Sequence, residues 1–162
     1  MSIFMNYEGI DGESSDQNHK GWVDLEDVLW GVSRKITSST STQGDRESSN
    51  AIIRDLIITR RMDRATPKFF IESCCGTGRN VLIHLTKTGA GTGADIYMEY
   101  TLKNALISNY KVIAASQDID RPTEELTISF IELKAKYIPY DEDGIAQAPI
   151  VVGFDTATNT KI

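Results

Sequence analysis

An acidic segment near the N-terminus is the first part of the chain whose residue types could bind a metal ion. Residues 8–16 contain four carboxylates, Glu8, Asp11, Glu13 and Asp16. Calcium loops of the EF-hand type need oxygen ligands at alternate positions, a central glycine and a closing glutamate at the twelfth position. The segment lacks this spacing and the closing glutamate, so we interpret it as a solvated turn and predict no metal site.

The two histidines and the two cysteines could also take part in catalysis. His19 and His84 lie outside any CxxC or HExxH pattern, so we interpret each as a hydrogen-bonded or surface histidine. Cys74 and Cys75 fall at the end of a predicted helix, whereas a reactive thiolate needs a helix N-terminus or cationic neighbours. We therefore predict that both cysteines are small packing residues.

Two glycine-rich segments, residues 76–78 and 89–93, match neither the GxxxxGK[ST] nor the GxGxxG phosphate-binding pattern. Hairpin turns are the better interpretation of both. Since the sequence contains no recognisable catalytic constellation, we predict that the protein is not an enzyme and binds no cofactor.

Charge and hydropathy restrict the partners. The chain has 17 Lys and Arg against 23 Asp and Glu, a formal net charge of -6, which disfavours nucleic acid and anionic lipid. Its apolar runs fall far short of the roughly 18 residues that suggest a membrane span, so no membrane insertion is expected. The first residues lack the basic and apolar regions of a signal peptide, so export would need another route. A length of 162 residues predicts a single domain, residues 1–162.

Alternation of apolar and polar residues is the dominant pattern, and it predicts strands. It is clearest in residues 96–103, which we expect to form a hairpin with residues 81–86 across a glycine-rich loop. In residues 126–137 the alternation changes phase, which predicts a β-bulge or barrel corner near Phe130. Further strands are predicted at residues 3–7, 22–32, 52–60, 107–115 and 150–154.

One helix is predicted at residues 67–75, with Thr66 as the N-cap, Pro67 in the first turn and Gly76 as the stop. Residues 38–50 contain no large apolar side chain and are predicted to form a long exposed loop. Within strand 22–32, neighbouring side chains point to opposite sides, so Leu29 should face outward if Trp30 enters the core. An all-β fold, either a barrel or a sandwich, accounts for these elements.

Several short motifs follow one another in a fixed order: Gly12-Glu13-Ser14 with Asp16, His19-Lys20-Gly21-Trp22, Trp30-Gly31-Val32-Ser33 and Asp63-Arg64-Ala65-Thr66-Pro67. In these residues the chain resembles the Hcp family (haemolysin-coregulated protein) of the bacterial type VI secretion system. The resemblance spans nearly the whole chain. It implies a two-sheet β-barrel with one short flanking α-helix, related to phage tail-tube proteins, and homohexameric rings stacked into a hollow secreted tube.

The same resemblance implies partners and candidate residues. The partners are other copies of the chain, the VgrG spike, the contractile sheath and effector proteins carried in the lumen. The protein is then expected in the cytoplasm before the system fires and outside the cell afterwards. Leu29 becomes a candidate for the lumen wall. A ring-stacking loop is expected at Thr42, Gln43, Gly44, Asp45, Arg46 and Glu47.

Three alternatives stay open at this point. A phage or phage-like tail-tube protein would share the fold. A small-ligand-binding β-barrel would be a monomer with an apolar cavity, and a hydrolase would need a Ser, a His and a carboxylate that converge in space.

Some members of the family that the chain resembles carry a toxin domain after the last strand. About eight residues follow Phe154 here, so we expect no such domain.

Overall fold

The computed structural model of the chain describes residues 1–36, 49–89 and 91–162. These residues form twelve strands and one helix. In chain order they are β1 (Ser2–Tyr7), β2 (Val23–Leu25), β3 (Asp27–Leu29), β4 (Val32–Ser33), β5 (Ile52–Ile53), β6 (Leu56–Arg61), α1 (Thr66–Cys75), β7 (Arg79–Thr88), β8 (Ala94–Ile113), β9 (Thr123–Ser129), β10 (Glu132–Tyr137), β11 (Ile150–Asp155) and β12 (Thr160–Lys161).

The strands pair antiparallel in two connected sheets. One sheet has the order β12-β11-β10-β8-β7-β1-β2, and the other has the order β8-β9-β6-β3, while β4 and β5 form a short separate pair. The prediction of a mainly β protein with one short helix is therefore confirmed. The pairings among the described residues run in open order, so the hydrogen bonds do not by themselves close the expected barrel.

Strand β8 belongs to both sheets. Its first half pairs with β7 and β10, and its second half pairs with β9. The change occurs at Asn104, which has a φ of 53°, a left-handed conformation that asparagine tolerates better than most residues. Residues 96–103 and 107–115, predicted as two strands, are therefore largely one continuous strand with a bend.

A matching corner lies between β9 and β10. Strand β9 pairs with β6, whereas β10 pairs with β11, so the chain changes sheet across Phe130 and Ile131. This corner is where the apolar alternation changes phase. Leu126 and Ile128 are buried before it and Leu133 after it, so the change of phase keeps the apolar side chains in one core.

Several predicted elements differ from the structure. The predicted strand 52–60 is divided into β5 and β6, and residues 76–78 link α1 to β7 and do not form a hairpin turn. Residues 22–32 contain three short strands, β2, β3 and β4, because the chain leaves the ladder at Glu26 and again after Leu29. Helix α1 begins at Thr66, and its N-cap is Ala65, which makes no side-chain capping bond. The Thr66 hydroxyl instead accepts a hydrogen bond from the Asp63 backbone N–H at 3.2 Å, so the predicted threonine cap is wrong by one residue.

The core lies between the sheets and under α1. Phe69 is the buried residue of the helix, and its ring meets the ring of Tyr7 edge-on at 5.6 Å. Cys74 and Cys75 are exposed free thiols, so the prediction that they pack in the interior is wrong. They lie on the face of α1 that points away from Phe69, together with the exposed Phe70 and Ile71.

Candidate assembly surface

Strand β11 carries three consecutive exposed aliphatic residues. Ile150, Val151 and Val152 expose 62%, 56% and 54% of their surface. Successive side chains of a strand point to opposite faces, so both faces of β11 are uncovered in the isolated chain. We call these three residues the β11 surface.

The outer edge of β11 is also largely open. Among the described residues, its partner β12 pairs only with Phe154 and Asp155, at the far end of the strand. The outer backbone groups of residues 150–152 are therefore without a ladder partner in that part of the chain. An open apolar edge can accept another chain, and monomeric proteins usually cover or charge such edges.

An apolar groove lies beside the β11 surface. Its volume is about 170 Å³, and its walls come from β4, β5, β10 and β11; the lining residues are Trp30, Val32, Ile53, Leu133, Ala135, Val152, Gly153 and Phe154. Exposed Val32 and Ile52 extend this apolar area along the short pair β4 and β5. The β11 surface, the groove and the pair β4 and β5 thus form one continuous apolar area.

Leu29 and Trp30 lie next to this groove. Leu29 is 64% exposed, whereas Trp30 packs against the core, with its ring 5.4 Å from the ring of Tyr100. Leu29 thus points outward, as expected for the neighbour of a strand residue that enters the core. The stacking-loop residues Thr42, Gln43, Gly44, Asp45, Arg46 and Glu47 lie outside the described residues.

A buried ionic cluster holds β6, β8 and β9 together beneath α1. The Arg60 side chain is fully buried and pairs with Glu124 directly across the strands and with Asp63. The Tyr110 hydroxyl donates to the second oxygen of Glu124 at 2.7 Å. Burial, reinforced by this carboxylate, raises the pKa of Tyr110 above its ordinary value, so the hydroxyl keeps its proton.

The sequence did not reveal the β11 surface or the ionic cluster. Ile150-Val151-Val152 is an unbroken apolar run, and this departure from alternation was the available signal, because a strand with one solvated face alternates. For Arg60 no local signal exists, since Glu124 is 64 residues away.

Among residues 1–36, 49–89 and 91–162, no three His, Cys, Asp or Glu side chains are grouped to hold a metal ion. Within those same ranges, no helix has the length and apolar character needed to cross a membrane.

By architecture, the described part of the chain belongs to the class of antiparallel all-β proteins with one flanking helix. The family model described as "Type VI secretion system effector, Hcp" matches residues 4–137. The chain belongs to this family of secreted structural proteins, as the sequence motifs indicated.

Individual relatives agree with this assignment over their full lengths. The chain is 26% identical to the protein hcp1 of Pseudomonas aeruginosa, and the match covers 99% of this chain and 98% of hcp1. A solved structure of a type six secretion system protein is 26% identical, with a TM-score of 0.90 over 99% of both chains. Hcp1 of Salmonella typhimurium, 22% identical, has the same fold, with a TM-score of 0.76 over 99% of this chain and 98% of its own.

Proposed function

We propose that the chain is the structural subunit of a type VI secretion tube, in which six copies form a ring and rings stack into a hollow, effector-carrying tube. The observation that carries the proposal is the β11 surface, where both faces of a strand are apolar and exposed and the outer backbone groups have no ladder partner among the described residues. Family membership supports the secretion system, and the resemblance to Hcp proteins supports a ring of six.

Two unlike apolar areas on the subunit favour a ring over a closed dimer. A ring requires heterologous contacts, in which one surface of a subunit meets a different surface of its neighbour. The described part of the chain offers a second apolar area away from β11, the outer face of α1 with Phe70 and Ile71. Two unlike apolar areas on one subunit are the minimum that a ring of identical copies needs.

Each subunit is also proposed to close into a two-sheet barrel. Strand β8 is shared by both sheets, and β2 and β3 are separated by Glu26 alone, with β2 in one sheet and β3 in the other. A sheet that continues into the other at two places wraps around a common core. Such wrapping supports a barrel subunit, related in architecture to phage tail-tube proteins.

Leu29 is proposed to face the lumen, because an exposed leucine beside a core tryptophan gives an apolar contact for passing cargo. The segment from Thr42 to Glu47 is proposed to contact the next ring, on the basis of its polar sequence and the family resemblance. Interactions with the VgrG spike, the contractile sheath and effector proteins follow from this placement, as does delivery to the outside by the type VI system.

Size-exclusion chromatography with light scattering tests the ring. The wild-type protein should have a mass of about 108 kDa, six copies of the 18.0 kDa chain. The variant Val151→Asp places a charge on the β11 surface, on the side of the strand opposite the groove-lining Val152. We expect its mass to fall toward that of the monomer, while its secondary structure is unchanged.

Ile119→Asp is the matched control, because Ile119 is a fully exposed aliphatic residue in a loop and the substitution adds the same charge. It should leave the hexamer intact. A wild-type monomer at all micromolar concentrations would overturn the ring and favour the ligand-binding barrel. Rings that persist in Val151→Asp would show that β11 is not an interface. Electron micrographs of the wild-type protein then show whether rings stack.

A further inference from the structure

Two carboxylates and two imidazoles form a continuous chain of contacts between residues 16–19 and the strands β7 and β8. Asp16 Oδ2 lies 2.7 Å from His19 Nδ1, His19 Nε2 lies 2.9 Å from His84 Nδ1, and His84 Nε2 lies 2.8 Å from Glu99 Oε2. We call these four residues the carboxylate–imidazole chain. All three separations are hydrogen-bond distances, so each needs one proton between its two heavy atoms.

Counting protons shows that two neutral imidazoles do not suffice. A neutral imidazole carries one N–H, and an ionised carboxylate carries none. If His19 donates to Asp16 and His84 donates to Glu99, the two facing nitrogens at 2.9 Å both present lone pairs. Three hydrogen bonds therefore require three protons, one more than two neutral histidines supply.

We propose that the carboxylate–imidazole chain is a binding site for a single extra proton, which makes the His19–His84 contact a hydrogen bond and gives the four residues a net charge of -1. The geometry places the positive charge on His19. Its contact with Asp16 is the shortest of the three, and its ring lies parallel to the Phe4 ring at 4.3 Å between centroids. An aromatic face stabilises a cation at this distance.

The surrounding charges agree with this distribution. The hydrogen bond from His19 holds the pKa of Asp16 below its usual range, so this carboxylate is ionised beside the cation. Burial lowers the pKa of His84, although Glu99 opposes the effect, so His84 accepts the shared proton as a neutral ring. A second extra proton would place two positive rings 5.1 Å apart between centroids, so the pair binds only one.

Other ionisable groups face the chain from the neighbouring strands. Lys136 of β10 is the cross-strand partner of Glu99, and Asp24 of β2 is the partner of Phe4. Lys87 lines an open cavity together with Asp16. None of these three groups is hydrogen-bonded to either imidazole, so the two end carboxylates remain the counter-ions of the extra proton.

The extra proton fixes the N-terminal loop against the β7–β8 hairpin. Asp16 Oδ1 accepts a hydrogen bond from the Ala94 backbone N–H at 3.1 Å, while its other oxygen contacts His19. The Asn18 side chain donates to the carbonyls of Thr92 and Ala94. Loss of the proton would leave a repulsive nitrogen pair beneath this contact, so the loop should loosen at alkaline pH.

Nitrogen-15 NMR of histidine-labelled, assembled protein tests the proposal, because the chain has only two histidines and hence four ring nitrogens. At pH 7.5 a free histidine is about one tenth protonated. We expect one ring, that of His19, to be fully doubly protonated at this pH and the other ring to be neutral, with its proton on Nε2. Two neutral rings at pH 7.5 would overturn the proposal.

Two amide variants give opposite signatures. In Glu99→Gln the amide can donate to His84, so all three hydrogen bonds form with both rings neutral and protonated on Nδ1. In Asp16→Asn the amide can donate to His19, so both rings become neutral and protonated on Nε2. An unchanged doubly protonated ring in both variants would also overturn the proposal.

The Glu99→Gln variant is the cleaner of the two, because Asp16 also accepts the Asn18 backbone N–H, a bond that an asparagine amide would lose. If either variant fails to fold, the wild-type spectrum still decides.

Discussion

Replacing Glu124 with alanine should be among the most destabilising single substitutions in this protein. Glu124 is fully buried, and its two oxygens are bonded to Arg60 and to the Tyr110 hydroxyl. Without the carboxylate, a fully buried guanidinium keeps Asp63 as its remaining acidic partner, and a phenol loses its acceptor. Removing one partner of a buried ion pair costs about 3 to 5 kcal/mol, which for a chain of this length corresponds to roughly 6 to 20 °C in Tm.

Glu26→Ala provides a matched comparison, because Glu26 pairs with the neighbouring arginine, Arg61, at 2.6 Å, but both side chains are about 40% exposed. An exposed pair contributes about 0 to 1 kcal/mol, so the two variants should differ by several kcal/mol. Urea unfolding at pH 7 measures the difference. Both variants must be compared at one protein concentration, because assembly adds to apparent stability. A Glu124→Ala variant within 1 kcal/mol of Glu26→Ala would refute the assigned role of the buried cluster.

Three other expectations follow from individual residues. Burial raises the pKa of Tyr7 to about 12, so the contribution of its protonated hydroxyl to stability is fully present below about pH 10 and is lost as the pH rises toward 12. Between pH 9 and 11, the free energy of unfolding measured with urea should therefore decline less for Tyr7→Phe than for the wild-type protein. Gly12→Ala should destabilise by about 1 to 3 kcal/mol, since its Cβ would lie 2.4 Å from the Trp22 carbonyl, whereas Gly31→Ala, with nothing within 4 Å, should lower Tm little. Leu29→Gln should leave Tm unchanged and reduce effector retention in a pull-down assay; a large fall in Tm would assign Leu29 to the core instead.

Strands with regular alternation were predictable, because their pattern is local. Residues 96–103 and 81–86 pair as expected, and the corner at Phe130 lies where the phase changes. The continuity of β8 was not predictable, since Asn104 reads as a strand end and its left-handed conformation depends on the corner around it. Helix α1 was placed correctly to within one residue, but its buried face was not, because Phe69 and not the cysteines packs on Tyr7.

The contacts with chemical interest depend on register, which the sequence does not encode in any short motif. His84 faces Glu99 because β7 and β8 pair in that register, and His19 reaches His84 through a loop that precedes it by 65 residues. Arg60 and Glu124 meet only because β6 and β9 are neighbours. Each residue alone is an ordinary strand or loop residue, so the histidines appeared as isolated hydrogen-bonded side chains.

The continuity of β8 has a consequence for cooperativity. A two-sheet protein whose sheets share no strand can lose one sheet while the other persists, and its amides then exchange with solvent in two separate groups. Here the same 20-residue strand forms backbone pairs in both sheets, on either side of Asn104. Unfolding of either sheet therefore removes a strand from the other. Amide protons of β8 before and after the bend should therefore exchange through one global opening, with the same free energy. Tension applied along the subunit would likewise be transmitted through covalent backbone from one sheet to the next.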